Sequence, residues 1–141
     1  MKSFILCLLL AVGFCVNAFA QRDTITSVTG FKYVRIQAGN GNMPKSGSRL
    51  TVQYTGRLTN GKVFDSTEEN GAPFHFRLGK RQVIPGWDQG FLLMSEGEKG
   101  VLIVPPHLAY GERGSGEHPD GTYTVPPNST LIFEVELLKV K

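Results

Sequence analysis

Cysteine is almost absent from the sequence. Its two copies, Cys7 and Cys15, both lie within the first twenty residues. If that segment is removed on export, the remaining chain has no thiol to form a disulfide, act as a nucleophile or ligate a metal. Cysteine chemistry is therefore excluded from the expected mature protein.

Groups that would carry covalent or metal catalysis are also scarce. His75, His107 and His118 are isolated and lack the spacing of metal ligands. No serine or threonine lies in a strained nucleophile elbow, and no glycine-rich phosphate loop opens a helix. The sequence predicts no metal and no cofactor, and it disfavours a hydrolase, which needs a nucleophile beside a base.

An excess of one charge sign is missing as well. Without Lys2, the expected mature chain carries 14 Lys and Arg (15 − 1) against 12 Asp and Glu. The nearest cations in sequence are Arg77, Lys80 and Arg81, which flank a predicted turn. We therefore expect no binding to nucleic acid. Since no basic amphipathic helix or second apolar span is present, we also expect no membrane binding after the leader is removed.

The one long apolar run stands at the amino terminus. It extends from Phe4 to Val16 after Lys2, and Ala18 and Ala20 follow at the positions of a cleavage signal. This pattern is typical of a secretory signal peptide, and the run is shorter than the ~20 residues of a membrane span. An uncleaved anchor is the alternative.

The leader divides the chain into three parts. We expect a signal peptide at residues 1–20, a short flexible lead or edge strand at 21–29, and one domain at 30–141. The predicted location is exported, either periplasmic or secreted. The lumen of the endoplasmic reticulum is the alternative, although the last four residues, Leu138 to Lys141, are not a retention signal.

Apolar residues alternate with polar ones through most of the domain, which predicts strands. The one helix signal runs from Pro85 to Ser95, with proline at the first position and an apolar face. The stretch from Pro105 to Pro127 is predicted to be irregular. The fold class is α+β, an antiparallel sheet of about five strands around one short α-helix.

Several blocks of the sequence resemble a known family. The blocks are Val52-Gln53-Tyr54-Thr55-Gly56, Asn60 to Ser66, Pro73 to Gly79, Val83-Ile84-Pro85-Gly86-Trp87, Ala109-Tyr110-Gly111, Val125-Pro126-Pro127 and Leu131 to Leu138. In this order they closely resemble the FKBP family, the tacrolimus- and rapamycin-binding peptidyl-prolyl cis–trans isomerases. The resemblance implies an FKBP-like antiparallel sheet wrapped around one short helix, and an enzyme that isomerises X-Pro bonds.

The resemblance also implies an aromatic pocket for the proline ring, with Trp87 as its floor. The walls and the apolar surround would be formed by Tyr54, Phe64, Phe74, Val83, Ile84, Val125 and Phe133. The Ile84 backbone N–H and the Tyr110 hydroxyl would donate hydrogen bonds to substrate carbonyls. Asp65 would place a carboxylate at the pocket edge.

Two departures from the family pattern bear on substrate preference and drug affinity. The loop after Tyr110 is longer here than in the family. Asn70 stands where an arginine is common, so we expect Asp65 to lack its usual partner.

The implied partners are X-Pro segments of unfolded or folding exported proteins. Macrolides of the rapamycin and tacrolimus type are expected to bind in the same pocket. No dimerisation helix precedes the domain, so a monomer is expected. The alternative function is a non-catalytic chaperone or partner-binding module of the same fold, but the pocket set with Tyr54, Trp87 and Tyr110 is intact and favours the enzyme.

Overall fold

Nine strands form the framework of the computed structural model, which describes residues 23–141. They are β1 (Thr24–Thr26), β2 (Lys32–Gln37), β3 (Arg49–Leu58), β4 (Val63–Ser66), β5 (Phe74–Arg77), β6 (Lys99–Val104), β7 (Ser115–Glu117), β8 (Tyr123–Val125) and β9 (Leu131–Val140). The expected signal peptide lies outside the described residues. No helix within residues 23–141 is long and apolar enough to cross a membrane.

Seven of these strands form one antiparallel sheet in the order β1-β2-β6-β9-β3-β4, with β5 also paired to β3. Strands β4 and β5 share one edge of β3, because Thr55 pairs with Ser66 while Val52 pairs with Phe74. The predicted antiparallel sheet with a short helix is confirmed. The sheet has seven strands, whereas periodicity led us to expect about five.

Part of the predicted lead is an edge strand. In β1, Thr24 pairs with Val34 and Thr26 pairs with Lys32. Asp23 is also tied to the sheet, because its carboxylate pairs with Arg35 at 3.0 Å. Of the two alternatives for this segment, the structure has the edge strand.

Alternation along the long strands separates a core face from an outer face. On β3, Leu50 and Val52 are fully buried, whereas Gln53 is exposed. On β9, Leu131 and Leu137 are fully buried in the same way. Each such side chain contributes about 1.5–3 kcal/mol through burial, so the face that carries them is fixed toward the helix.

The helix is shorter than predicted. α2 (Pro85–Gly90) begins at the predicted proline but passes into a 3₁₀ turn, Phe91–Leu93. Gly86 and Gly90 weaken the helix, yet they let it approach the sheet closely. A Cβ at Gly90 would lie 3.0 Å from both Leu102 Cδ2 and Phe31 Cζ.

A second, four-residue helix follows β4, outside the one helix signal at Pro85 to Ser95. α1 (Thr67–Asn70) follows Ser66, whose hydroxyl accepts a hydrogen bond from the Glu68 N–H at 3.2 Å. It ends at Gly71, which has a φ of 77°. Ser66 and Glu69 have the spacing of a capping box, which is the signal that would have predicted this helix.

The prediction that residues 105–127 are irregular is wrong. They hold a 3₁₀ turn, Pro106–Leu108, and a separate hairpin made by β7 and β8. The hairpin closes through a 2.7 Å hydrogen bond from the His118 N–H to the Thr122 carbonyl. The Asp120-Gly121 pair supplies the turn, since Gly121 has a φ of 82°.

Candidate active site

Trp87 lies at the centre of a cluster of aromatic rings. It comes from the first turn of α2, and only 4 % of its surface is exposed. Its ring centroid lies 4.7–6.0 Å from five others, which belong to Tyr54, Phe74, Phe76, Phe91 and Phe133. Edge-to-face packing of this kind contributes about 0.5–1.5 kcal/mol per pair beyond burial. The indole is therefore held rigidly as the floor of the site.

The side of the cluster away from the core is open. Phe91 and Phe76 are buried beneath Trp87, whereas Phe74 is 38 % exposed. Tyr110, which follows the 3₁₀ turn Pro106–Leu108, is 39 % exposed. An apolar concave surface with a few polar groups at its rim is the usual form of a small binding pocket.

Asp65 supplies the charge at this rim. One carboxylate oxygen accepts the Tyr54 hydroxyl hydrogen bond, and the other accepts the Ser66 N–H at 2.9 Å. The Asn70 side-chain amide also donates to Asp65, at 3.2 Å. Asp65 has no arginine partner at position 70, as expected, but the neutral amide of Asn70 on the short helix α1 donates a hydrogen bond to the carboxylate instead.

Two tyrosine hydroxyls face this carboxylate and stay protonated. Burial, followed by the hydrogen bond to Asp65, raises the pKa of Tyr54. Burial and then the negative charge of Asp65 raise the pKa of Tyr110. Since tyrosine ordinarily titrates near about 10, both phenols act as hydrogen-bond donors at neutral pH.

Two donors at the rim are unused. The Ile84 N–H and the Tyr110 hydroxyl make no hydrogen bond to any residue between 23 and 141. Ile84 is the N-cap of α2, and its carbonyl accepts from the Trp87 N–H at 2.9 Å. Its own N–H precedes the helix and has no partner among residues 23–141, and the role that the family resemblance implies for it stays a prediction.

The indole N–H of Trp87 is different, because it is fully buried and has no hydrogen-bond partner among the described residues. A buried donor left without an acceptor costs about 1–3 kcal/mol. Aromatic rings surround it on several sides, and ring faces are weak acceptors for such a group.

The remaining predicted residues lie around this centre. The ring centroids of Phe64 and Phe133 are 5.6 Å apart, and Phe133 in turn packs against Trp87. Val83 is partly buried against the core, and Val125 at the end of β8 is 3 % exposed. Phe64 therefore lies at the margin of the aromatic cluster, while Val83 and Val125 belong to the same hydrophobic core.

Gly56 is a residue of the site to which the sequence analysis assigned no role. A Cβ there would lie 2.6 Å from Phe64 Cζ and 3.0 Å from Phe133 Cε1. Both rings pack over the bare backbone of β3, so glycine is required for the two walls to sit where they do.

A second concavity, of about 810 Å³, lies on the outer face of the sheet. Residues that alternate with the core set line it, among them Gln53, Thr55, Glu134 and Glu136. Of the aromatic cluster only Tyr54 borders it. It has no aromatic floor and carries exposed carboxylates, so it does not suit an apolar proline ring.

The fold and the site define an antiparallel sheet packed against a short helix, with a rigid aromatic pocket and hydrogen-bond donors at its rim. The family described as FKBP-type peptidyl-prolyl cis-trans isomerase matches residues 40–138 of the chain. The chain belongs to this family, and it is a peptidyl-prolyl cis–trans isomerase by class.

Individual relatives agree. The chain is 48% identical over 113 residues to the peptidyl-prolyl cis-trans isomerase Fkbp12 of Drosophila melanogaster. This match covers 79% of this chain and 99% of the relative. It is 50% identical over 106 residues to a peptidyl-prolyl cis-trans isomerase of Schizosaccharomyces pombe, covering 74% of this chain and 89% of the relative.

Solved structures show the same fold. AtFKBP13 superposes with a TM-score of 0.78 at 37% identity, covering 84% of this chain and 99% of that one. FkpA from Escherichia coli gives a TM-score of 0.72 at 44% identity over 84% of this chain. The match spans 51% of FkpA, so no property of the remaining part of FkpA is assigned to this chain.

Proposed function

We propose that the protein accelerates rotation about X-Pro bonds of exported proteins by binding the twisted imide in the pocket over Trp87. The observation that carries the proposal is the rigid aromatic floor flanked by two unused donors, the Ile84 N–H and the Tyr110 hydroxyl. No covalent step is needed, because rotation breaks no bond.

The physical basis is the resonance of the imide. The planar ground state is charge-separated, and resonance gives rotation a barrier of about 18–20 kcal/mol. An aromatic pocket removes water from the planar form, which loses more solvation than the less polar twisted form. Only interactions that are stronger in the twisted state raise the rate. Lowering the barrier by ~5 kcal/mol gives nearly four decades of rate.

The rim groups then have separate tasks. The Ile84 N–H and the Tyr110 hydroxyl hold the carbonyls that flank the rotating bond. Asp65, held by Tyr54, Ser66 and Asn70, fixes the Tyr54 ring against Trp87 and keeps a negative field at the edge of the pocket. The macrolides named for this family are expected to occupy the same aromatic floor as competitors of the peptide.

Tyr110→Phe is expected to lower kcat/KM for a Leu-Pro peptide about two- to tenfold, because a neutral hydrogen bond contributes about 0.5–1.5 kcal/mol. Its stability should not change, since the hydroxyl bonds to nothing within residues 23–141. Tyr123→Phe on the hairpin is the matched control and should leave the rate unchanged. Equal rates for both variants and the wild type would remove Tyr110 from the mechanism.

Export is part of the proposal and rests on the leader at residues 1–20. The processed protein would act as a monomer on clients outside the cytoplasm. When the full chain is expressed in an exporting host, mass spectrometry of the recovered protein is expected to find Gln21 as the first residue. Protein that retains Met1 would contradict export by cleavage.

A further inference from the structure

Seven exposed cations lie at one corner of the sheet, which we name the basic corner. Its members are Lys45, Arg49, Arg77, Lys80, Arg81, Lys139 and Lys141. They come from the start of β3, the end of β5 with its following turn, the end of β9, and the loop before β3. The 13 Lys and Arg of residues 23–141 are therefore unevenly distributed, with more than half in this region.

The pairing of three strands creates the corner. Arg49 on β3 lies directly opposite Arg77 on β5. On the other side of β3, Arg49 exchanges two backbone hydrogen bonds with Lys141, at 2.9 and 3.0 Å. Neighbouring strands are about 4.8 Å apart, so three cations stand in one row across the sheet. The next row adds Lys139, which pairs with Thr51.

One of these cations has a weak partner within the molecule, because the Val140 N–H first and the charge of Lys139 last lower the pKa of Glu96. None of the seven takes part in an ion pair among residues 23–141. Two carboxylates lie near the corner, and both are engaged by backbone N–H groups. Asp88 accepts from Gly79 at 2.8 Å, and Glu96 accepts from Val140 at 2.8 Å. Like charges directly opposite in a sheet destabilise it, so Arg49 and Arg77 do not stabilise the fold through each other and are available to an external anion.

The form of the corner identifies the kind of anion. The cations are exposed ends of long side chains on a sheet, with no buried donor and no cradle of backbone N–H groups for a single phosphate. The loop before β3 adds one exposed apolar side chain, Met43, whereas protein interfaces depend on clusters of such anchors at their centres. Spread, flexible positive charge suits a laterally extended anionic surface.

We propose that the basic corner docks the protein on the phosphate headgroups of an anionic bilayer. Leu50 and Phe76 are buried, so Arg49 and Arg77 beside them point to the outer face of the sheet, away from the pocket. Tyr54 lies five residues along β3 from Arg49, or roughly 17 Å at the rise of a strand. Docking through the outward side chains of Arg49 and Arg77 therefore leaves the opposite, pocket face of the sheet uncovered for clients near the membrane.

This proposal departs from the sequence-based expectation of no membrane binding. That expectation considered only Arg77, Lys80 and Arg81, which are close in sequence. Arg49, Lys139 and Lys141 join them through strand pairing, which spacing along the chain does not reveal.

The test compares two variants that lose the same charge. The chain from Gln21 is used, because it holds every described element and the whole core. The corner variant is Arg49→Gln, Arg77→Gln, Lys139→Gln and Lys141→Gln. The matched control, built from exposed cations elsewhere, is Lys32→Gln, Lys62→Gln, Lys99→Gln and Arg113→Gln. Co-sedimentation is measured with phosphatidylcholine vesicles and with vesicles containing about one third phosphatidylglycerol.

Each Lys or Arg close to an anionic bilayer strengthens binding roughly fivefold. We expect wild type to bind the anionic vesicles at least tenfold better than neutral ones, and to be released by about 0.5 M salt. The corner variant should lose at least tenfold, and the control less than threefold. The Tm of the corner variant should equal or exceed that of wild type, because like-charge neighbours are removed.

Three results would overturn the proposal. One is no preference of wild type for anionic vesicles. Another is an equal loss in the two variants, which would mean that net charge alone acts. The third is stronger retention on polyglutamate beads than on vesicles of the same charge density, which would assign the corner to an acidic protein instead.

Discussion

Trp87→Leu is expected to lower kcat/KM for a Leu-Pro peptide at least about tenfold, the largest loss from any single change in the pocket. Leucine keeps the position apolar but removes the flat surface against which the proline ring packs. It also removes the edge-to-face contacts of the Trp87 ring with Tyr54 and Phe133, whose centroids lie 4.7 and 5.3 Å from that of Trp87. The walls then lose their common support, so the unused donors no longer point at one site.

Loss of stability has to be separated from loss of the site. Truncating a buried Trp to Ala costs about 3–5 kcal/mol, and leucine should cost less. Phe91→Leu is the matched control, because Phe91 is fully buried on the same helical segment and touches Trp87 from below, at 5.3 Å. It should destabilise the fold comparably while leaving kcat/KM within about threefold of wild type. Equal activity losses in both variants would show that Trp87 acts through stability alone.

Glu98→Gln is expected to destabilise the fold by about 2–3 kcal/mol at neutral pH, or roughly 6–12 °C in Tm. The side chain of Glu98 is 3% exposed and accepts hydrogen bonds from four donors. They are the Tyr33 hydroxyl, Arg35 Nε at 3.0 Å, the Ser95 N–H at 2.9 Å and the Ser95 hydroxyl at 3.2 Å. An amide cannot accept all of these, because its NH₂ group faces donors.

The same carboxylate makes stability depend on pH. Burial alone would raise the pKa of Glu98, but the donors from Ser95, Tyr33 and Arg35 outweigh it, and the pKa lies below its usual value. The contribution of Glu98 is therefore complete above the unfolded pKa of about 4.3 and is lost as pH falls through the folded value. Urea unfolding at pH 7 and pH 3.5 should show a smaller difference for Glu98→Gln than for wild type.

Glu134→Gln is the control for this second prediction. Glu134 pairs with Arg57 at 3.4 Å on the outer face, and its side chain is 60% exposed. An exposed pair contributes about 0–1 kcal/mol, so its loss should barely move the unfolding midpoint. If Glu98→Gln behaves like Glu134→Gln, the buried network does not stabilise the fold.

The residue pattern was sufficient to predict those strands and helix ends whose signals lie within a short stretch of sequence. The strands were predicted by alternation, and the helix start was predicted by Pro85 with Trp87 behind it. The end of the helix was placed too late, because the apolar face continues to Ser95 whereas Gly86 and Gly90 weaken the helix. The hairpin made by β7 and β8 was missed because its turn lies within a polar stretch whose strands have three residues each.

The residues that form the pocket could be predicted from the sequence, but the contacts between them could not. The family resemblance implied Tyr54, Trp87 and Asp65, yet the hydrogen bond from Asn70 to Asp65 depends on α1, which was not foreseen. Gly56 matters because of rings that lie 8 and 77 positions further along the chain, Phe64 and Phe133. Such requirements arise only when strands pair, so they cannot be read from spacing.

The most direct test of the account is the cis–trans exchange of a Leu-Pro peptide, followed by NMR with and without rapamycin, using the chain from Gln21. The account predicts that exchange accelerates catalytically and that the drug abolishes the acceleration, which places the activity at the pocket over Trp87. Drug binding without acceleration would keep the pocket but contradict catalysis, and it would assign the protein to partner or client binding instead.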